Sequence, residues 1–267
     1  MNLLFWNLKN NSNEQLIADC IVENNIDIAL FAEHASTNFD YICQNLLSNF
    51  FCEKGAGACD KIIMLANKSI AVDVKQEQNR YVLYTINNLN MSCNLCCVHL
   101  QDRRNSDFNK RKELIGRLVN DIKNLEDREN CNSTIIIGDV NANPYDHELL
   151  DFNGFNAVLF KDIIKKSESI TIDGIKYRRF YNPIIHFLSE DEKNYGSFYI
   201  SNTTESNNPI WNCLDQVIVS KPLIDSVSSM RYLRKIKKKE LIKKTKPDNS
   251  ISDHLPLVVQ LKENVYG

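Results

Sequence analysis

The chain has 267 residues, with 32 Lys and Arg against 34 Asp and Glu for a formal net charge of −2, and 43% of its residues are hydrophobic. This is the balance of an ordinary folded protein, and recurrent apolar runs exclude long disorder; the length suits one layered domain over 1–267. No apolar run reaches the ~18 residues of a membrane span, and nine cysteines are odd in number and too sparse for a disulfide scaffold.

The N-terminal MNLLFWNLKN has no basic n-region and no small-residue cleavage site, so it reads as a strand over Leu3–Leu8 and not as a leader. Cys20, Cys96, Cys97 and Cys213 sit inside apolar runs, as reduced core thiols do, and a cytoplasmic location is expected. Helical periodicity covers Asn13–Glu23, with Ser12 as the expected N-cap, and a strand follows over Ile26–Ala32. Tyr41–Leu47 is a shorter helix candidate. Strand-length runs rich in Ile and Val recur at Ile62–Ala66, Tyr81–Ile86 and Leu95–Leu100.

A second helix is expected over Asp107–Leu125, where Leu114, Leu118, Ile122 and Leu125 recur at helical spacing and Lys and Arg fill the other face. Further strands read at Thr134–Ile137, Leu214–Val219 and Leu255–Leu261. Residues 160–212 read as loops and short strands carrying Phe180, Tyr181, Phe187, Tyr195, Phe198, Tyr199 and Trp211. Strands with helices inserted among them predict an α/β fold of sheets covered by helices. Between Arg231 and Lys246 lie nine basic residues and one acid, Glu240. Two readings stand for this run: contact with a polyanion, or a solvated lysine-rich connection.

Polar residues recur at the ends of the apolar strands: Asn7, Glu33, His99, Asp139 with Asn141, Asp215, and Asp253 with His254. Taken singly, Asn7 is a strand-end turn residue, Glu33 a surface acid and His99 a core histidine. Taken together they form a set able to converge on one sheet edge. Oxygen ligands from Glu33, Asp253 and Asn7 suit a hard cation, Mg²⁺ or Mn²⁺. Two histidines beside acids suit proton transfer near neutral pH, and acids around a metal favour phosphoester chemistry. A single CxxC at Cys93 and Cys96, beside Cys97, lacks the second pair a zinc site needs. His34 and His147 read as surface or loop residues.

GDVNANP (138–144), SDHLPL (252–257), FAE (31–33), FWN (5–7), VHL (98–100) and LDQVIVS (214–220) resemble, in order, the endonuclease/exonuclease/phosphatase superfamily with its deoxyribonuclease-I-like fold. The GDxN and SDH pair is the specific part. The resemblance implies a four-layered sandwich of two packed mixed β-sheets flanked by helices. It also implies roles: Glu33 as metal ligand helped by Asn7 and Asp253, and His254 as general base held in its tautomer by Asp215. Asp139 and Asn141 would orient nucleophile and phosphate or assist the leaving group, and His99 would bond the scissile phosphate.

Two departures from the family pattern stand out. Ala32-Glu33 replaces the usual Gln-Glu, which keeps the carboxylate. The acid that orients the first histidine in pancreatic-type deoxyribonucleases is replaced by Asn79, so either Glu77 substitutes or His99 has no acidic partner. His99 itself counts against abasic-site endonucleases, which usually carry Tyr there. The absence of an apolar hairpin counts against sphingomyelinases and against membrane contact.

YNPIIHF (181–187), YGSFYI (195–200) and WNCLDQV (211–217) resemble a group of bacterial members. Tyr181 and Asn182, with Lys237, Lys238 and Lys239 of the basic run, are the expected substrate contacts. The expected activity is a metal-dependent phosphodiester hydrolase, a nuclease acting on DNA or RNA. The alternative substrate is a small phosphorylated molecule, such as an inositol phosphate or a nucleotide. A binding protein on the same fold would require missing catalytic residues, and none is missing.

Overall fold

The computed structural model describes residues 1–89, 91–102, 107–188, 196–200 and 210–262. The first half forms β1 (Asn2–Asn7), α1 (Glu14–Glu23), β2 (Ile28–Ala32), β3 (Phe50–Glu53), β4 (Ile62–Asn67), β5 (Ala71–Gln78), β6 (Tyr81–Asn87) and β7 (Ser92–His99). Then come α2 (Phe108–Glu129), β8 (Thr134–Asp139), β9 (Ala157–Val158), β10 (Phe180–Tyr181), β11 (Asp215–Val219), β12 (Val227–Tyr232) and β13 (Leu257–Leu261). Short hairpins and helical turns fill the connections.

One sheet has six strands in the order β12-β13-β1-β2-β4-β3, and the other has seven in the order β5-β6-β7-β8-β11-β10-β9. Both mix parallel and antiparallel pairs. Alternation along β7 shows how the layers stack. Leu95 and Cys97 enter the larger core between the sheets, while Cys96 and Val98 enter a second core under α2. The second helix covers that outer face with Ile115, Leu118, Ile122 and Leu125. On the six-stranded sheet, α1 buries Ile17, Ala18, Cys20 and Ile21. The result is the expected four-layered α/β sandwich.

The strands expected from apolar runs are present, and besides the two-residue β9 and β10 three longer ones appear at β3, β5 and β12. These three lie at or next to sheet edges, where one flank faces solvent and the apolar signal is diluted; β5 reads AVDVKQEQ. Ser12 is not the cap of α1. Asn13 occupies that position, and the Ser12 hydroxyl bonds the Glu14 carboxylate. Tyr41–Leu47 divides into one helical turn, Phe39–Tyr41, and a wider-pitched turn over Ile42–Leu46. Among the described residues, no helix is long and apolar enough to cross a membrane.

Candidate active site

Strand register brings the polar strand ends together. β1 and β2 run parallel with Asn7 beside Ala32, and β7 and β8 run parallel with His99 beside Asp139. β11 is antiparallel to β8, which sets Asp215 opposite Asp139. β13 is antiparallel to β1 with Leu257 opposite Phe5, so residues 252–254 enter at the edge where β1 ends. Four strands therefore finish, and two begin, at one edge of the sandwich. Gly138 permits the close approach of β7 to β8: it has φ +149°, and a Cβ there would lie 2.0 Å from the Val98 carbonyl oxygen. Glu33 and Asn141 adopt positive φ of 47° and 51°, unusual for side-chain-bearing residues and common at functional sites.

The side chains converge accordingly. Asn7 Nδ2 donates to Glu33 Oε1 at 3.2 Å and to Asp139 Oδ2 at 3.3 Å, while its Oδ1 accepts the Lys9 backbone N–H at 3.0 Å. His99 Nε2 lies 3.4 Å from Glu33 Oε1 and 3.9 Å from Asp139 Oδ2. On the other side, His254 Nδ1 bonds Asp215 Oδ2 at 2.8 Å and its Nε2 lies 3.9 Å from Asp139 Oδ2. Asp139 is thus the shared centre of both histidines. Its second oxygen accepts the Asn141 backbone N–H at 2.9 Å, and Asn141 Nδ2 donates to the Leu100 carbonyl.

Charges are tuned by these neighbours. The hydrogen bond from His99 leads the effects holding the Glu33 carboxyl down to about 2, against partial burial. Burial raises the Asp139 carboxyl, opposed by both histidines. For His254, burial works against the charged ring, but the Asp215 carboxylate and its hydrogen bond, with Asp139, outweigh it and raise the imidazole to about 10. The donor set fits a hard divalent cation. Glu33 and Asp139 aim oxygens at one spot with only an amide and an imidazole between them, and Asp139, Asp215 and His254 offer ligand atoms all within 4.8 Å of one another.

Not every expected contact reaches this centre. The Asp253 carboxylate pairs with Lys9 at 3.3 Å. Asn182 and Tyr181 are buried, at 0% and 1% exposure, which corrects their expected place on the substrate. The Asn182 amide is consumed by Gln216 at 2.6 Å and the Ile184 N–H at 3.1 Å, because β10 lies inside the sheet. Lys237 is engaged at α1: its ammonium pairs with Asp19 at 2.7 Å and its N–H bonds Glu23. Lys238 and Lys239 stay exposed on the same hairpin, so the basic run partly neutralises α1. Tyr195 lies outside the described residues.

Glu77 does not replace the missing acid beside His99. Its carboxylate accepts the Ala56 and Ala58 N–H groups, Asn79 accepts from Lys61, and His99 Nδ1 is buried with no hydrogen-bond partner among the described residues.

Supporting residues went unnoticed in the sequence. The Ser252 hydroxyl donates to the Asn7 carbonyl at 2.6 Å and accepts the His254 N–H at 3.0 Å, linking the two sides of the site. Its signal was available, since Ser two residues before a functional residue is a turn former. Trp6 Nε1 donates to the His254 carbonyl and Tyr232 Oη to the Asp215 carbonyl. Arg111 of α2, 2% exposed, donates to the carbonyls of Gln101 and Asn141 and faces Glu148 at 3.4 Å. No local pattern marks a helical arginine as buried.

No family profile matches the chain, and no curated protein matches it by sequence. Solved structures do match over almost the whole chain. A Bacteroides thetaiotaomicron endonuclease/exonuclease/phosphatase family protein superposes with TM-score 0.62 at 12% identity, covering 100% of this chain and 98% of its own. The chain has the endonuclease/exonuclease/phosphatase fold. A mannosyl-6-phosphatase of the same organism with this fold gives TM-score 0.62 at 12% identity, covering 98% and 99%. D. rerio TDP2, solved with a single-strand DNA product, gives 0.57 at 14% identity, covering 97% of each chain.

Proposed function

We propose that this protein is a divalent-metal-dependent phosphodiester hydrolase acting on a nucleic acid. The observation that carries the reading is Asp139 flanked by two histidines, one of them locked to Asp215, with the Glu33 carboxylate alongside. Glu33 and Asp139 would hold Mg²⁺ or Mn²⁺, with Asn7 orienting both carboxylates and Asp253 at the margin. When bound, such an ion supplies positive charge for the non-bridging phosphate oxygens.

The chain's own residues divide the remaining work. Asp215 fixes the His254 ring so that Nε2 faces the centre, where neutral His254 takes the proton of the attacking water. His99 and Asn141 hold the phosphate and stabilise charge as it develops. A polymer substrate is favoured by the aromatic surface beside His254. Phe198 packs on its ring at 4.7 Å, and the next residue, Tyr199, forms an edge-to-face pair with Trp211 at 5.3 Å. The hairpin strand Lys246–Pro247 packs against Phe198–Tyr199 and brings the end of the basic run to that surface. Aromatic faces beside lysines suit stacked bases and their phosphates. D. rerio TDP2, with its DNA product, fits this reading.

A small phosphomonoester is the second reading. The mannosyl-6-phosphatase neighbour favours it, as does Lys237 being tied to α1. The deciding experiment incubates wild type and His254→Ala with double-stranded DNA, single-stranded DNA, RNA and sugar and inositol phosphates, in Mg²⁺, Mn²⁺ or EDTA. Metal-dependent polymer cleavage lost in the variant supports the proposal. Turnover of a small ester with every polymer intact overturns the nuclease reading.

A further inference from the structure

Arg80 precedes β6, and its carbonyl accepts the His99 N–H at 2.9 Å, so it stands directly across the ladder from His99. Side chains alternate along β6. Tyr81 faces outward, its hydroxyl bonding Asp121 of α2 at 2.6 Å, while Val82 enters the core between the sheets. Arg80 therefore projects to the face that carries Cys97, His99 and the site. Its Nε is buried, and among the described residues it has no hydrogen-bond partner and no carboxylate pairs with it. Two polar residues close to it in sequence are engaged elsewhere, Glu77 by the 56–58 loop and Asn79 by Lys61. His99 Nδ1, facing the same side, is also buried and unsatisfied.

Arg80 as a residue is half-buried with its Nε enclosed, and leaving a buried cationic donor unpaired is costly. The economical explanation is an anion that arrives with the substrate. We propose that Arg80 is a phosphate-binding residue that takes a substrate phosphate adjacent to the scissile one, with its planar fork of donors. This rests on the nuclease reading and sharpens it, because only a substrate with consecutive phosphates uses such a subsite. It also accounts for the absence, among the described residues, of an acid at His99 Nδ1. A carboxylate placed there would neutralise Arg80 and repel the phosphate.

The test compares wild type with Arg80→Gln and Arg80→Lys. Binding of a fluorescein-labelled single-stranded oligonucleotide is followed by anisotropy in EDTA across a salt series. Hydrolysis of bis(p-nitrophenyl) phosphate, which has one phosphate, is followed with Mg²⁺ or Mn²⁺. Arg80→Gln is expected to weaken oligonucleotide binding about tenfold or more and to reduce the slope of log affinity against log salt by about 1. Hydrolysis of the one-phosphate ester stays at the wild-type rate, and Arg80→Lys restores much of the binding. Unchanged affinity and slope in Arg80→Gln, with wild type binding firmly, overturn the role of Arg80 alone. Equal loss on the one-phosphate ester overturns it too, since Arg80 would then serve the scissile group or the fold. Failure of wild type to bind or cut any polymer removes the nuclease reading itself, and the subsite with it.

Discussion

His254 and Asp215 are joined through one 2.8 Å hydrogen bond, Nδ1 to Oδ2, between side chains both less than a tenth exposed. The bond fixes which ring nitrogen faces the centre.

Asp215→Asn tests that relationship. An amide keeps the shape but cannot hold the imidazolium that forms when His254 accepts a proton. We expect kcat on a phosphodiester to fall by about 10²–10⁴-fold with KM nearly unchanged. Steady-state kinetics checks this, and an equal rise in KM with kcat intact would assign Asp215 to binding.

Stability should depend on pH through His254. Its folded pKa is raised from 6.5 to about 10, so its contribution is complete below pH 6.5 and is lost as pH climbs through 10. In EDTA, the urea midpoint of wild type should fall over that window, and that of His254→Asn should fall less. Parallel curves for the two proteins would disprove the linkage. A cation held at Glu33 and Asp139 opposes the imidazolium, so adding Mg²⁺ near pH 8 should release protons, measurable by titration calorimetry in buffers of different ionisation enthalpy.

Glu33 carries the metal expectation. Glu33→Gln keeps the contact with Asn7 but removes the charge, and Mn²⁺ affinity measured by electron paramagnetic resonance should weaken at least about tenfold. The metal concentration needed for half-maximal activity should rise in parallel. Wild-type affinity in this variant would move the ion to Asp139, Asp215 and His254.

Gly138→Ala should damage the fold more than its size suggests. The added carbon meets the Val98 carbonyl at 2.0 Å in a backbone conformation that side-chain-bearing residues rarely adopt. We expect a loss of about 3 kcal/mol or more by urea denaturation, with activity falling as β7 and β8 separate. A loss below about 1 kcal/mol would mean that the two strands adjust easily.

The sequence by itself marked the strands of the two sheets and, through its family resemblance, the sandwich and the candidate site residues. Buried strands are apolar along their whole length, so β1, β2, β4 and β8 stood out, and the acids and histidines that end such runs stood out with them. Local patterning cannot say what a side chain meets across the sheet. Only the tertiary structure tied Lys237 to Asp19 and Glu23, turned Glu77 toward the 56–58 loop, and buried Asn182 against Gln216. It also left Arg80 facing the site across from His99, with its Nε unpaired. Each of these depends on a partner 18 or more residues away, set by register and layer packing, on which composition and spacing carry no information.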